Sequence, residues 1–178
     1  MASPVVSDCR EERIGACDHQ RAALPTIVRP HEELPSSGIA AIYLAGPVPR
    51  RAGEVPWHLE AIAALQAYGF DGAVIVPRAS DEAAAQESDE RQLSWEFEAQ
   101  CRADVLLFWV PRDPADMLGL TTNLEWGIWH DTGKVVIGIP PAAAMTLPLR
   151  HAAYRVGVDV CESMNGTVRC ALRSLACR

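Results

Sequence analysis

Two glycine-rich signatures are missing from this chain of 178 residues. No GxGxxG follows a strand, which disfavours a dinucleotide-binding turn, and no GxxxxGK[ST] is present, which disfavours a nucleoside-triphosphate hydrolase. A GxSxG elbow is also missing, so no serine nucleophile of the α/β-hydrolase kind is signalled. Long apolar runs are scarce: the longest, VLLFWVP at 105–111, is far short of the roughly 20 residues that a bilayer-spanning helix needs. Basic charge is in deficit, with 16 Lys+Arg against 23 Asp+Glu and a net charge of −7. That balance argues against a protein that grips nucleic-acid phosphates by displacing counterions. The opening MASPVVSDCREER has no basic stretch followed by an apolar one, so a cytoplasmic protein without a secretion signal is expected.

Six cysteines are present, yet none forms a CxxC pair. Irregular spacing without a secretory signal reads as reduced thiols rather than a disulfide framework. Cys9, Cys17, His19 and His31 offer soft ligands but no two at a spacing suited to one metal ion. Neither a metal nor a cofactor is expected.

What the chain does have is apolar residues, 49% of the total, enough for one compact core at this length. Residues 1–37 mix Pro, Ser, charge and Cys without a period of 2 or 3.6 and read as a loosely attached leader. Residues 38–178 read as a single domain. Short apolar runs at IAAIYLA (39–45), AVIVP (73–77), VLLFWV (105–110) and KVVIGIP (134–140) have the character of buried strands, with VGVDV (156–160) as a fifth. Between them, VPWHLEAIAALQAYGF and RQLSWEFEAQCRAD read as helices, the second with Leu93, Phe97 and Cys101 in one row. Residues 78–89 read as a polar loop or frayed helix, and TTNLEWGIWHDTG as a helix opened by a Thr or Asn cap. PPAAAMTLPLR reads as a linker, and an amphipathic helix through Val168, Leu172 and Leu175 closes the chain. Alternation of this kind specifies a doubly wound, mainly parallel α/β sheet of about five strands with helices on both faces, flavodoxin-like or Rossmann-like.

Ligands of such sheets sit beyond the carboxyl ends of the strands. That rule selects Gly46-Pro47, Pro77-Arg78 and the loop 111–123. Gly46 allows either a tight turn or close backbone approach to a ligand. Glu125, placed in the first turn of a helix between Leu124 and Trp126, is either a partner of the helix dipole or a nucleophile. Glu96 is either a solvated acid paired with Arg91 or Arg102, or a second carboxylate in the crevice. Asp104 reads as a junction residue that accepts from backbone donors, while for Asp113 and Asp116 turn chemistry competes with contact to a substrate. Arg78, Arg112 and Arg150 read as surface arginines, with a substrate phosphate as the alternative. Two carboxylates from different elements, with tyrosine and tryptophan nearby, suit glycosyl transfer: one acid attacks the sugar carbon, the other protonates the leaving group, and aromatic surface holds a flat base.

IYLAGP (42–47), SWEFEAQCRADVLLFWVP (94–111) and GLTTNLEWGIWHDTGKVVIGIP (119–140) together resemble the nucleoside 2-deoxyribosyltransferase-like family. The resemblance implies Glu125 as the nucleophile, Glu96 as the acid that protonates the base, and Tyr43 as the residue that positions the nucleophile. It implies substrate contacts from Gly46, Pro47, Asp113, Asp116, Asn123 and the adjacent Trp95. The activity so implied is 2-deoxyribosyl transfer between nucleobases with retention; nucleoside 5′-monophosphate hydrolysis and a non-catalytic nucleotide-binding module are the alternatives. The implied partners are a nucleoside or nucleotide, a free nucleobase, and further copies of the chain in a homo-oligomer.

Overall fold

The computed structural model describes residues 24–49, 56–77 and 90–178. The described residues form six strands, β1 Thr26–Val28, β2 Ala41–Ala45, β3 Ala73–Ile75, β4 Val105–Trp109, β5 Val135–Gly138 and β6 Val160–Cys161, and five helices. The helices are α1 Trp57–Ala67, α2 Glu90–Arg102, α3 Leu120–Trp129, α4 Leu147–Arg155 and α5 Met164–Ala176. One sheet in the order β1-β3-β2-β4-β5-β6 contains all six strands, and every neighbouring pair is parallel. Parallel neighbours need crossovers, and the helices supply covers for both faces. The doubly wound α/β architecture is therefore as the patterning implies.

Strand alternation divides the core in two. Tyr43, Ala45, Leu106, Phe108 and Ile137 face α2, α3 and α4, where Trp95, Ala99, Trp126, Trp129 and Leu149 meet them. Ile42, Leu44, Leu107, Trp109 and Val136 face α1 and α5, against Trp57, Leu65, Met164 and Val168. With both faces covered, β2 and β4 are buried at every position, which is why they read as unbroken apolar runs rather than alternating ones.

Four expectations need correction. The domain begins ahead of Gly38, because Thr26–Val28 pairs in register with Ala73–Ile75 at the sheet edge; a strand of three residues is too short to show a period. Only the first 23 residues of the expected leader lie outside the described residues, as does the loop expected at 78–89, Arg78 included. The segment expected as a linker contains the start of α4, with Pro148 in its first turn, where the missing N–H costs no hydrogen bond. Of the strand expected at 156–160, only Val160 is in β6, and Val156 instead ends α4. In α2 the row Leu93, Phe97 and Cys101 faces outward, and the buried side carries Trp95, Ala99 and Gln100.

Asp104 sits at the junction between α2 and β4 as anticipated, with Oδ2 accepting from the Ala41 N–H at 2.8 Å. Lys134, just ahead of β5, caps the same C-terminal end of α2. Its Nζ donates to the carbonyls of Gln100 at 2.7 Å and of Cys101 and Ala103 at 3.3 Å. An ammonium there satisfies carbonyls that the last helical turn leaves without partners.

Candidate active site

Strand order reverses between β2 and β4: from β2 the chain runs out to β3, then returns across β2 to β4. This is the switch point at which open α/β sheets bind ligands, and it selects two of the three strand ends indicated by the sequence, those of β2 and β4. The turn after β2 and the entry to α3 meet there. A Cβ on Gly46 would lie 2.1 Å from the Trp109 carbonyl oxygen and 2.8 Å from the Trp57 ring. The close approach permitted by Gly46 is thus made to the backbone of β4, within the protein. Pro47 is buried, its carbonyl accepting from Trp57 Nε1 at 2.7 Å, and its ring abuts Gly119, whose φ of +63° opens α3 in a left-handed conformation. Glycine rather than Thr or Asn caps this helix, and the helix starts earlier than the cap chemistry suggests. Gly46→Ala is expected to cost about 1–3 kcal/mol of stability, read as a lower urea midpoint.

Because α3 starts at Leu120, Glu125 lies beyond its first turn, which contains no acidic residue. The helix-dipole explanation for this carboxylate therefore falls away. Glu125 instead points inward to α2, and its Oε1 accepts from Gln100 Nε2 at 2.6 Å. The same Nε2 donates to the Tyr43 hydroxyl at 3.2 Å, while Gln100 Oε1 accepts from Trp129 Nε1 at 2.5 Å. Among the described residues the other carboxylate oxygen of Glu125 accepts no hydrogen bond. Glu96, one turn before Gln100 on α2, accepts from Gln92 Nε2 at 2.9 Å. Arg102 does not pair with it, being committed to the carbonyls of Pro35, Ser36 and Ile39 and to Asp104.

The electrostatics ties these groups together. Burial, and then the charge of Glu96, push the Glu125 carboxyl up to about 7 against the hydrogen bond from Gln100. Burial also raises Glu96, opposed by Gln92. The Tyr43 phenol is raised well above its usual value by burial and by the charges of Glu125 and Glu96. Desolvation disfavours each ionised form, and a like charge adds to it. In the ligand-free protein both carboxyls of the pair are therefore held toward their protonated forms.

Tyr43, Glu96 and Glu125 are thus brought together, while Trp95, Asp113 and Asn123 make hydrogen bonds elsewhere in the protein. Trp95 is buried, donating to the Glu32 carbonyl at 3.0 Å beside the His31 ring. Asp113 closes a turn by accepting from the Ala115 N–H at 2.9 Å, and Asp116 is buried in the same loop. Asn123 accepts from Arg112 Nη2 at 2.5 Å. Arg112, expected at the surface, is buried and donates also to the Met145 carbonyl at 3.1 Å. Arg150 donates to the Ile139 carbonyl and pairs with Glu162 at 3.7 Å. A separate cavity of about 240 Å³, lined by Arg112, Asp113 and Pro140 among others, includes none of the three grouped residues. Gln100 went unnoticed in the sequence because a glutamine in a polar helix carries no signal; only its inward position could have found it.

On one face of the doubly wound sheet the chain thus groups two partly buried carboxylates, Glu96 and Glu125, with the buried Tyr43. The family model described as nucleoside 2-deoxyribosyltransferase like matches residues 39–143, and the chain belongs to that family. No curated protein matches the chain. No helix among the described residues is long and apolar enough to cross a membrane.

Proposed function

We propose that the protein cleaves the N-glycosidic bond of a nucleoside and transfers the 2-deoxyribosyl group to another base, with Glu125 as nucleophile. It acts as a cytoplasmic homo-oligomer in this reading. The observation that carries the reaction is the setting of the Glu125 carboxylate: partly buried on α3, held through one oxygen by Gln100, with the other unoccupied by any described residue. That oxygen attacks C1′ as the C1′–N bond breaks, forming a glycosyl ester, and Glu96 delivers a proton to the departing base. A nitrogen of the incoming base then attacks C1′, the ester bond breaks, and Glu96 recovers the proton. Two displacements at one carbon retain its configuration. Tyr43 accepts from Gln100, and its hydroxyl proton is left to favour the ionised nucleophile.

Membership in the family supports this reading. Of the arginines that would favour a 5′-phosphate, Arg112 and Arg150 already donate to protein acceptors, and Arg78 lies outside the described residues. The test is a chromatographic assay of free base over a panel of ribo- and 2′-deoxynucleosides and their 5′-monophosphates, with and without a second base. A new nucleoside in the presence of acceptor is expected. Free sugar in its place makes the protein a hydrolase, and tight binding without base release makes it a non-catalytic module.

A further inference from the structure

The Gln100 amide has only one orientation open to it. An indole N–H can only donate, so the oxygen of Gln100 must face Trp129, at 2.5 Å. Both amide hydrogens are thereby turned toward the opposite side, where Glu125 Oε1 at 2.6 Å and the Tyr43 hydroxyl at 3.2 Å accept them. Flipping the amide would set oxygen against carboxylate and N–H against N–H, and Gln100 is only 5% exposed, which leaves little water to compensate. The backbone is pinned as well, because Lys134 Nζ binds the Gln100 carbonyl at 2.7 Å and lies 4.5 Å from the centre of the Trp129 ring. Phe97 of α2 packs on the same ring, centroids 5.7 Å apart.

We infer that Gln100 is a positioning residue, oriented by Trp129, which holds one oxygen of Glu125 and the hydroxyl of Tyr43 in fixed relation and so leaves the second carboxylate oxygen to the substrate. The inference rests on the reading of Glu125 as the nucleophile. Three elements converge: α2 supplies the amide, α3 both its orienting donor and its carboxylate acceptor, and β2 the phenol. A glutamine that merely filled space would need none of these bonds.

The test follows the Glu125 carboxyl by carbon NMR through a pH titration, in wild type, Gln100→Leu and Trp129→Phe, beside kcat and KM for base release. A hydrogen bond given to the ionised form lowers its midpoint, so Gln100→Leu is expected to raise that of Glu125 by about half a unit or more. Its kcat should fall about tenfold or more, with KM moved less than about threefold, as for an interaction realised in the transition state. Trp129→Phe, which keeps the ring but frees the amide to turn, should give a smaller shift in the same direction. Should Gln100→Leu not fold, the double variant with Trp129→Phe removes both ends of the broken bond, which is much better tolerated than one orphaned donor. An unmoved Glu125 midpoint in a folded variant lacking Gln100 overturns the inference. A midpoint moved in Gln100→Leu, when the wild-type protein itself releases no base, upholds the positioning while overturning the reading of function, so the two failures are distinguishable.

Discussion

Glu125→Ala is expected to reduce base release by about 10³-fold or more, since removing a covalent nucleophile leaves only binding and orientation to act. The loss should not come from unfolding, and the pH dependence of stability shows why. In the native protein the Glu125 carboxyl titrates at about 7, raised chiefly by burial, whereas an unfolded chain titrates it in the ordinary carboxylate range. The folded state therefore holds the proton more tightly. The stability linked to that proton is fully present at low pH, below the unfolded value, and is lost as the pH rises through about 7. Glu125→Gln removes the cost of burying a charge, so it is expected to be more stable than wild type at pH 8 by up to about 3 kcal/mol, the difference closing below about pH 4.5. Urea unfolding at the two pH values checks this. A variant more stable than wild type yet inactive places the defect in the chemistry; one with wild-type turnover rules out Glu125 as nucleophile.

The second large effect concerns the carboxylate pair. The proposed reaction needs one proton on the pair, with Glu96 protonated and Glu125 ionised. In the free protein both carboxyls are raised, Glu125 to about 7, so the productive form is one of the two arrangements of a singly protonated pair. The profile of kcat/KM should therefore be a bell whose alkaline limb lies near pH 7, where the pair loses its last proton, and whose acid limb lies below it. Glu96→Gln should lower the maximal rate by about 10²–10⁴-fold, the usual worth of a general acid. It should also change the shape of the profile. With the charge of Glu96 gone, Glu125 becomes a stronger acid and the alkaline limb disappears, leaving a rate that rises through a midpoint below 7. A wild-type rate that climbs through pH 7 to a plateau would show that Glu96 does not act as an acid.

Much of the fold was legible because burial on both faces of a parallel sheet leaves a mark on the chain. The runs in β2, β4 and β5 are apolar without interruption, and the segments between them have helical spacing. The elements that escaped notice are short or locally ambiguous. Thr26–Val28 is a strand only because Ala73–Ile75 offers it an edge, and Leu147–Arg155 is a helix despite a proline because that proline falls in its first turn. The site was legible in part for a related reason. Glu125, Glu96 and Tyr43 stand in segments whose wording carries the resemblance to the family, and their mutual contact through Gln100 and their charges is visible only in the structure, while Trp95, Asp113 and Asn123 each make a hydrogen bond within the protein.

The sequence by itself determined the layered α/β architecture and the family, since hydrophobic period and residue type are properties of the chain, and it singled out Tyr43, Glu96 and Glu125 as candidates. Only the tertiary structure decided what those groups can do. Their pKa values depend on how much water each retains and on which charge lies across the crevice, and neither is written in local sequence. The same holds for Gln100. Its role comes from an indole on α3, a phenol on β2 and a carboxylate on α3 converging on one amide, and contacts between elements distant along the chain exist only once the sheet has brought those elements together.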